Sequence, residues 1–135
     1  MNVRWLLLMG LVVLVGCGDG SELQRETVSG TVKYQGQPVP DGSITFVPLN
    51  DTKGPGAGAI IKNGQYTVTA GGGVPVGTYR VEIQALREVA RPKRPGPQLD
   101  MVPKETYLPE KFNRQSTMEV TITAKEGHVQ DFDLK

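Results

Sequence analysis

The sequence predicts an all-β protein, a seven-stranded Greek-key β-sandwich of the immunoglobulin-like kind that follows an N-terminal signal peptide. Glycine and proline, 17 and 10 residues of the chain, place turn signals at intervals of about ten residues. Between these turns, short runs alternate apolar and polar side chains, which is the pattern of half-buried strands. After the N-terminal segment no stretch has the periodicity of an amphipathic helix. Regular short strands without helical segments are typical of a β-sandwich.

The N-terminal segment has the layout of a secretory signal peptide. Arg4 precedes residues 5–15, which contain no charged side chain, and the chain turns polar after Cys17. A basic start, an apolar run and small residues before a cleavage site define such signals. An eleven-residue helix would be roughly 17 Å long, too short for a hydrocarbon core of about 30 Å. We therefore expect residues 1–16 to be a removable signal peptide.

The apolar run ends in Leu14-Val15-Gly16-Cys17, which resembles the lipobox of bacterial lipoproteins. Cys17 is the only cysteine, so the chain cannot form an internal disulfide. The resemblance implies that Cys17 becomes the first mature residue and carries a diacylglycerol thioether and an N-acyl chain, which together anchor stably. Gly18 in place of Asp then favours the outer membrane, and residues 17–26 form the lipidated cysteine and a polar tether. The alternative is that Cys17 is a small residue of a membrane-inserting helix.

The first half of the domain, which we expect to cover residues 27–135, contains four predicted strands. In the first of them Val28, Val32 and Tyr34 face one side, and Gly30 marks a bulge or a close backbone approach. Asn63-Gly64 predicts a tight hairpin because both turn positions favour positive φ. Further turns are predicted at Gln35-Gly36-Gln37-Pro38 and at Pro40-Asp41-Gly42. The four strands are predicted over residues 27–34, 43–47, 56–61 and 66–70.

The second half contains three more predicted strands, over residues 78–86, 117–124 and 128–134. Tyr79 starts the first of these at the spacing of a tyrosine corner, in which the phenol bonds to backbone. The alternative is an ordinary core tyrosine. Glu126-Gly127 is a predicted turn. The side chains expected to face inward are Tyr79, Val81, Ile83 and Ala85, then Met118, Val120, Ile122 and Ala124, then Phe132 and Leu134.

Residues 87–116 are predicted to be a long loop without regular structure. Loops of this length are usually functional or disordered. Its first half is rich in proline and basic residues, and prolines hold such a segment extended for binding. Its second half contains Tyr107 and Phe112, which we expect to pack against the sandwich. The candidate partner-binding residues are Arg87, Arg91, Lys93 and Arg94, against the single acidic Glu88; the alternative is a solvated loop without a partner.

The order of these motifs resembles carboxypeptidase regulatory-like domains, which have the transthyretin-like (prealbumin-like) β-sandwich fold. The motifs that carry the resemblance are Val28-Ser29-Gly30-Thr31-Val32, Gly36-Gln37-Pro38-Val39, Gly42-Ser43-Ile44-Thr45-Phe46, Asn63-Gly64-Gln65-Tyr66 and Val76-Gly77-Thr78-Tyr79-Arg80-Val81. Tyr107-Leu108-Pro109-Glu110-Lys111-Phe112, Ser116-Thr117 and Phe132-Asp133-Leu134 look like the small lipoproteins with this domain in planctomycete-type bacteria. The resemblance implies an accessory, adhesive or structural module, since such sandwiches have many roles.

Charge and composition argue against several classes of function. Removing residues 1–16 removes Arg4 and no acidic residue, so the formal net charge falls from +1 to zero. A balanced charge with 6% aromatic residues does not fit nucleic-acid binding. His128 is the only histidine, and we expect it to be a solvent-facing turn residue. One histidine and a lipid-linked cysteine cannot provide the ligands of a zinc site.

These observations predict a non-catalytic, lipid-anchored protein of the bacterial cell envelope, with an interaction or structural role. We expect no catalytic residues, metal, cofactor, nucleic acid or small-molecule substrate. The expected partners are the membrane, through Cys17, and an envelope protein or polymer. The alternative is a carbohydrate- or envelope-polymer-binding module, for which only Tyr107 and Phe112 offer exposed aromatic rings.

Overall fold

The computed structural model describes residues 23–91, 96–97, 102–125 and 127–135. These residues form strands, turns and two short 3-10 helices, at Ala70–Gly72 and Glu110–Phe112, and contain no α-helix. The predicted all-β class is therefore confirmed. The predicted signal peptide and Cys17 lie outside the described residues.

Twelve strands occur in the described part of the chain, most of them short. They are β1 (Arg25–Glu26), β2 (Val28–Tyr34), β3 (Gln37–Pro38), β4 (Asp41–Pro48), β5 (Ala57–Lys62), β6 (Gln65–Val68), β7 (Val74–Pro75), β8 (Gly77–Glu88), β9 (Lys104–Thr106), β10 (Glu119–Ile122), β11 (His128–Val129) and β12 (Phe132–Leu134).

Ten of these strands form one curled sheet in the order β10-β8-β4-β5-β6-β2-β11, with β3 and β12 also paired to β2 and β9 paired to β8. Most neighbours are antiparallel. The exceptions are β11 and β12, which run parallel to β2, with His128 opposite Val28 and Leu134 opposite Tyr34. The end of the chain therefore returns beside its first long strand. The remaining pair, β1 and β7, is antiparallel.

The core lies between the inner faces of β2, β4 and β8. The predicted alternation of β8 is confirmed, because Tyr79, Val81, Ile83 and Ala85 are all fully buried. β4 is the central neighbour of β8, and its Ile44 lies opposite Ile83. The other fully or almost fully buried side chains include Val28, Val32, Val39, Phe46, Ile61, Val68, Val74 and Ile122.

The hairpin predicted at Asn63-Gly64 is confirmed. Asn63 has φ 50° and Gly64 has φ 75°, and the flanking Lys62 and Gln65 pair across the turn. The same positive φ angles occur at Gln35 and Gly36, between β2 and β3. These are the two-residue turns whose backbone twist matches that of antiparallel strands.

Gly30 is confirmed as a point of close backbone approach. A Cβ atom added there would overlap the carbonyl oxygen of Gln130. The predicted turn at Asp41-Gly42 is wrong, because both residues belong to β4. Gly42 is paired with Ile61 on one side and Ala85 on the other, and a Cβ there would overlap the carbonyl oxygen of Gln84. At Gly42 the glycine therefore allows close strand packing, not a change of direction.

Two other boundaries differ from the predictions. Arg25 and Glu26, predicted to belong to a free tether, pair with Pro75 and Val74. Ala124, predicted to face inward, is exposed after the end of β10. The backbone pairing that ends at Ile122 leaves Ala124 outside the sheet.

The predicted long loop at residues 87–116 contains regular structure at both ends. Arg87 and Glu88 continue β8, and β9 pairs with them through Glu105 and Lys104. The 3-10 helix at Glu110–Phe112 follows. The pairing of β9 with β8 provides hydrogen-bond partners for backbone groups in a segment that the sequence pattern predicted to be irregular.

Candidate functional site

The four predicted partner-binding residues are not brought together as a described site. Lys93 and Arg94 lie outside the described residues, and Arg91 is partly buried after the end of β8. Arg87 is engaged within the protein, with its Nη2 atom 2.6 Å from Oε1 of Glu105. Its guanidinium carbon also lies 5.8 Å from the centre of the Tyr107 ring. The contribution of Arg87 to a basic surface is therefore reduced by its own acidic partner.

A second group of charges lies at the same end of β4, β5 and β9. Asp41 accepts hydrogen bonds from Lys104 and from Lys62, the latter at 3.4 Å. The hydrogen bond from Lys104 is the main cause that lowers the pKa of the Asp41 carboxyl below its ordinary value. Asp41 therefore stays ionised and links two lysines from different strands. A count of charged residues in the sequence could not reveal these pairings.

Three aromatic rings meet close to this end of the molecule. The ring of Tyr34 lies 6.1 Å, centre to centre, from the rings of both Tyr107 and Phe112. Phe112 is 8% exposed, so its predicted packing against the domain is confirmed and its expected role as an exposed ring is wrong. Tyr34 and Tyr107 are only partly buried. Tyr34 thus replaces Phe112 as the second accessible ring.

Polar groups lie beside this pair. The side-chain amide of Gln35 donates to the phenol oxygen of Tyr34 at 3.3 Å, and Arg87 lies over Tyr107. Burial raises the pKa of Tyr107 above its ordinary value, so its hydroxyl is protonated at neutral pH. The alternation of β2 assigned Tyr34 to the core. The signal that its ring reaches the surface is its position directly before the Gln35-Gly36 turn, where the strand ends.

His128 is a buried residue, and the prediction of a solvent-facing turn residue is wrong. It is 5% exposed, and its Nε2 atom lies 2.7 Å from the carbonyl oxygen of Thr123, to which it donates. Its backbone amide donates to Thr27 at 3.1 Å. Parallel pairing of β11 with β2 places His128 beside Val28, which carries the imidazole inward. The ring therefore holds the connection between β10 and β11.

Two buried phenols donate to backbone carbonyls. The hydroxyl of Tyr79 donates to Pro75 at 2.7 Å, which confirms the predicted bond from phenol to backbone. The hydroxyl of Tyr66 donates to Gln130, also at 2.7 Å. Burial raises the pKa of both tyrosines, and Asp131 raises that of Tyr66 further. Both hydroxyls therefore remain protonated donors and have a structural role.

A cleft of about 450 Å³ lies at the opposite end of β8, where the described chain begins. The loop between β4 and β5 forms one wall. Thr52 fixes this loop, because its hydroxyl donates to the carbonyl of Thr78 and accepts from the Thr78 amide, both at 2.9 Å. None of the predicted strands covers this loop. The residues that line the cleft are Leu23, Leu49, Asn50, Asp51, Thr52, Lys53, Val76, Gly77 and Thr78.

Within the described ranges, no three histidine, cysteine or acidic side chains are grouped so that they could hold a metal ion. The same residues contain no helix long and apolar enough to cross a membrane. Comparisons of the chain with protein-family models, with curated proteins and with solved structures give no match.

Proposed function

We propose that this protein is a non-catalytic, lipid-anchored module of the bacterial cell envelope that interacts with other envelope components. The observation that carries this proposal is the Leu14-Val15-Gly16-Cys17 pattern at the end of a short apolar run, with the only cysteine of the chain at its last position. We further propose that the curled sheet is a transthyretin-like Greek-key sandwich of the carboxypeptidase regulatory-like type. The motifs between Val28 and Val81 support this finer assignment.

The packing of the described residues supports an anchor followed directly by a folded domain. Gln24 is already fixed, since its carbonyl accepts the amide of Val76 at 2.9 Å. The chain from Cys17 to Leu23 spans at most about 20 Å when fully extended. An anchor at Cys17 would therefore hold the domain within about 20 Å of the membrane surface.

The chemistry of the described side chains also supports a non-catalytic role. The only histidine, His128, is buried and donates from its ring to a backbone carbonyl. A general base must be within hydrogen-bond reach of a substrate proton, and this imidazole faces the protein interior. Tyr66, whose pKa is raised by burial, donates its hydroxyl to the backbone carbonyl of Gln130.

The anchor is tested by the substitution Cys17→Ser in a bacterial host that processes lipoproteins. We expect the variant to leave the membrane fraction, because serine cannot form the thioether that carries the acyl chains. Ser21→Ala, four residues further on, is the matched control and should remain membrane-bound. Intact mass of the wild-type protein should show cleavage before residue 17 and added acyl chains. Unchanged membrane retention of Cys17→Ser would contradict the proposal.

A second candidate function is binding of an envelope polysaccharide. The specific observation is the partly buried pair Tyr34 and Tyr107, with the Gln35 amide and the Arg87 guanidinium beside it. Aromatic side chains combine an apolar face with a polar edge. Sugar rings have apolar C–H faces and hydroxyl groups, so this arrangement matches both of their surfaces.

This second function is tested by measuring how strongly the purified domain is retained on immobilised envelope polysaccharide from the bacterium that produces the protein. Tyr107→Ala removes one ring and should reduce retention on the polysaccharide by about tenfold, the equivalent of about 1.4 kcal/mol. Val129→Ala, at a residue that is 67% exposed and apolar, is the matched surface control. Equal retention of both variants and the wild type would rule out this site.

A further inference from the structure

We propose that the cleft at the start of β8 is a membrane-contact surface, and that the domain docks end-on against zwitterionic phospholipid headgroups. This inference rests on the proposed lipid anchor at Cys17. It adds to that anchor a second, reversible contact made by the folded domain. The contact residues are Leu23, Val76, Asp51 and Lys53, which all line the cleft.

The first argument is the position of the cleft relative to the anchor. Leu23 is the first described residue and lines the cleft. The backbone hydrogen bond from the Val76 amide to the Gln24 carbonyl fixes the chain there. Only six residue steps separate Leu23 from Cys17, which is at most about 20 Å. A tether this short gives the nearest surface of the domain a high effective concentration at the bilayer, so a weak contact is enough to orient it.

The second argument is the exposed apolar surface at the cleft. Leu23 and Val76 are each 37% exposed, and they are two of five large apolar side chains that are exposed in the described residues. The Leu23 side chain reaches Gly54, since a Cβ added there would lie 2.7 Å from Leu23 Cδ1. Leu23 and Val76 therefore present apolar surface at one cleft, which suits the interfacial region of a bilayer.

The third argument is the charge at the cleft. Asp51 and Lys53 are exposed residues of the loop that Thr52 fixes. Neither forms an ion pair with another described residue within 4.0 Å. A zwitterionic headgroup carries a phosphate that can accept from Lys53 and an ammonium group that can donate to Asp51. A cleft with one acidic and one basic side chain therefore matches a zwitterionic headgroup better than it matches a purely anionic headgroup.

End-on docking also determines what the other end can reach. Arg87 lies ten residue steps after Gly77 along β8, which is about 33 Å for an extended strand. Electrostatic attraction to a charged surface is screened within about 8 to 10 Å at physiological salt. Arg87 and the Tyr34–Tyr107 pair would then face away from the anchoring membrane, free to contact a different molecule.

The test uses the full lipidated chain in vesicles of phosphatidylethanolamine with a minor fraction of phosphatidylglycerol. Once Cys17 is acylated, an introduced cysteine is the only free thiol. A fluorophore is attached to Val76→Cys, to Gln35→Cys at the far end of β2, or to Ile60→Cys. Ile60 is 62% exposed and serves as an apolar control on β5. Nitroxide groups on the lipid headgroups quench fluorophores that lie at the membrane surface.

We expect strong headgroup quenching and a blue shift at position 76, and little of either at positions 35 and 60. Adding Leu23→Asp to the Val76→Cys protein should reduce quenching while the protein remains bound to vesicles. Quenching at position 60 or 35 that is as strong as at position 76 or stronger, or no quenching at any of the three positions, would overturn end-on docking. A blue shift at position 76 that grows with the density of protein on the vesicles, without headgroup quenching, would indicate contact with a second copy. That result would also overturn end-on docking.

The failure of the anchor gives a different result. A chain that does not float with the vesicles contradicts the proposed function, and the docking with it. A chain that floats but remains unquenched at position 76 contradicts the docking alone.

Discussion

Hydroxyl groups of single residues hold together parts of the backbone that no strand pairing connects. Tyr79 is fully buried, and its phenol satisfies the carbonyl of Pro75 four residues earlier. Pro75 also pairs with Arg25 of β1. One hydroxyl therefore links the start of β8 to the segment where the N-terminal chain joins the domain.

Tyr79→Phe should destabilise the protein by about 1 to 3 kcal/mol, the cost of leaving a buried carbonyl without a partner. The ring remains, so no cavity forms. Tyr34→Phe is the matched control, because its phenol oxygen is bonded only to the exposed amide of Gln35 within the described residues. It should change the free energy of unfolding by less than about 0.5 kcal/mol. Urea denaturation of both variants decides this, and equal losses would show that the Pro75 bond is not important.

At the scale of elements, the parallel pairing of β11 and β12 with β2 depends on the short interval between them. Gln130 and Asp131 lie beside Gly30 and Thr31 there. The amide of Gln130 donates to Ser29 at 2.8 Å, and Asp131 accepts from the amide and hydroxyl of Thr31 at 2.8 and 3.0 Å. The missing side chain of Gly30 allows Gln130 to approach and to accept the Tyr66 phenol.

Gly30→Ala should therefore weaken the attachment of both C-terminal strands. The added methyl group would meet backbone, which cannot rotate away, so the strands must separate and lose these hydrogen bonds. Gly36→Ala is the control. It places a side chain at φ 77° with nothing within 4 Å, and should cost only the conformational strain of about 1 to 2 kcal/mol. Denaturation should show a larger loss for Gly30→Ala, and the reverse order would contradict close packing at Gly30.

At the scale of the whole molecule, the strand directions separate two surfaces with different chemistry. The cleft with Leu23 and Val76 lies at the start of β8, and the ion pairs of Asp41 and Arg87 lie near its end. The sheet keeps these two surfaces at a constant distance, because adjacent strands share backbone hydrogen bonds along their length. An anchor at one end would therefore leave the aromatic and charged end free for a partner.

The sequence alone determined the all-β class and most of the strands, because these depend on local chemistry. The alternation from Tyr79 to Ala85 requires one buried face. Asn63-Gly64 favours positive φ wherever it occurs. The lipobox resemblance of Leu14-Val15-Gly16-Cys17 is likewise local, and the lipid anchor remains a prediction from it.

Tertiary structure decided the features that depend on which distant segments meet. Gly42 is a turn residue by composition, but it is buried between β5 and β8 because both strands approach it. His128 looks like a turn residue, but parallel pairing with β2 buries its ring. From the sequence Arg87 was expected to be an unpaired charge, but in the structure it forms an ion pair with Glu105 of β9. Exposure and charge pairing are properties of contacts between residues far apart in the chain, so no local pattern could specify them.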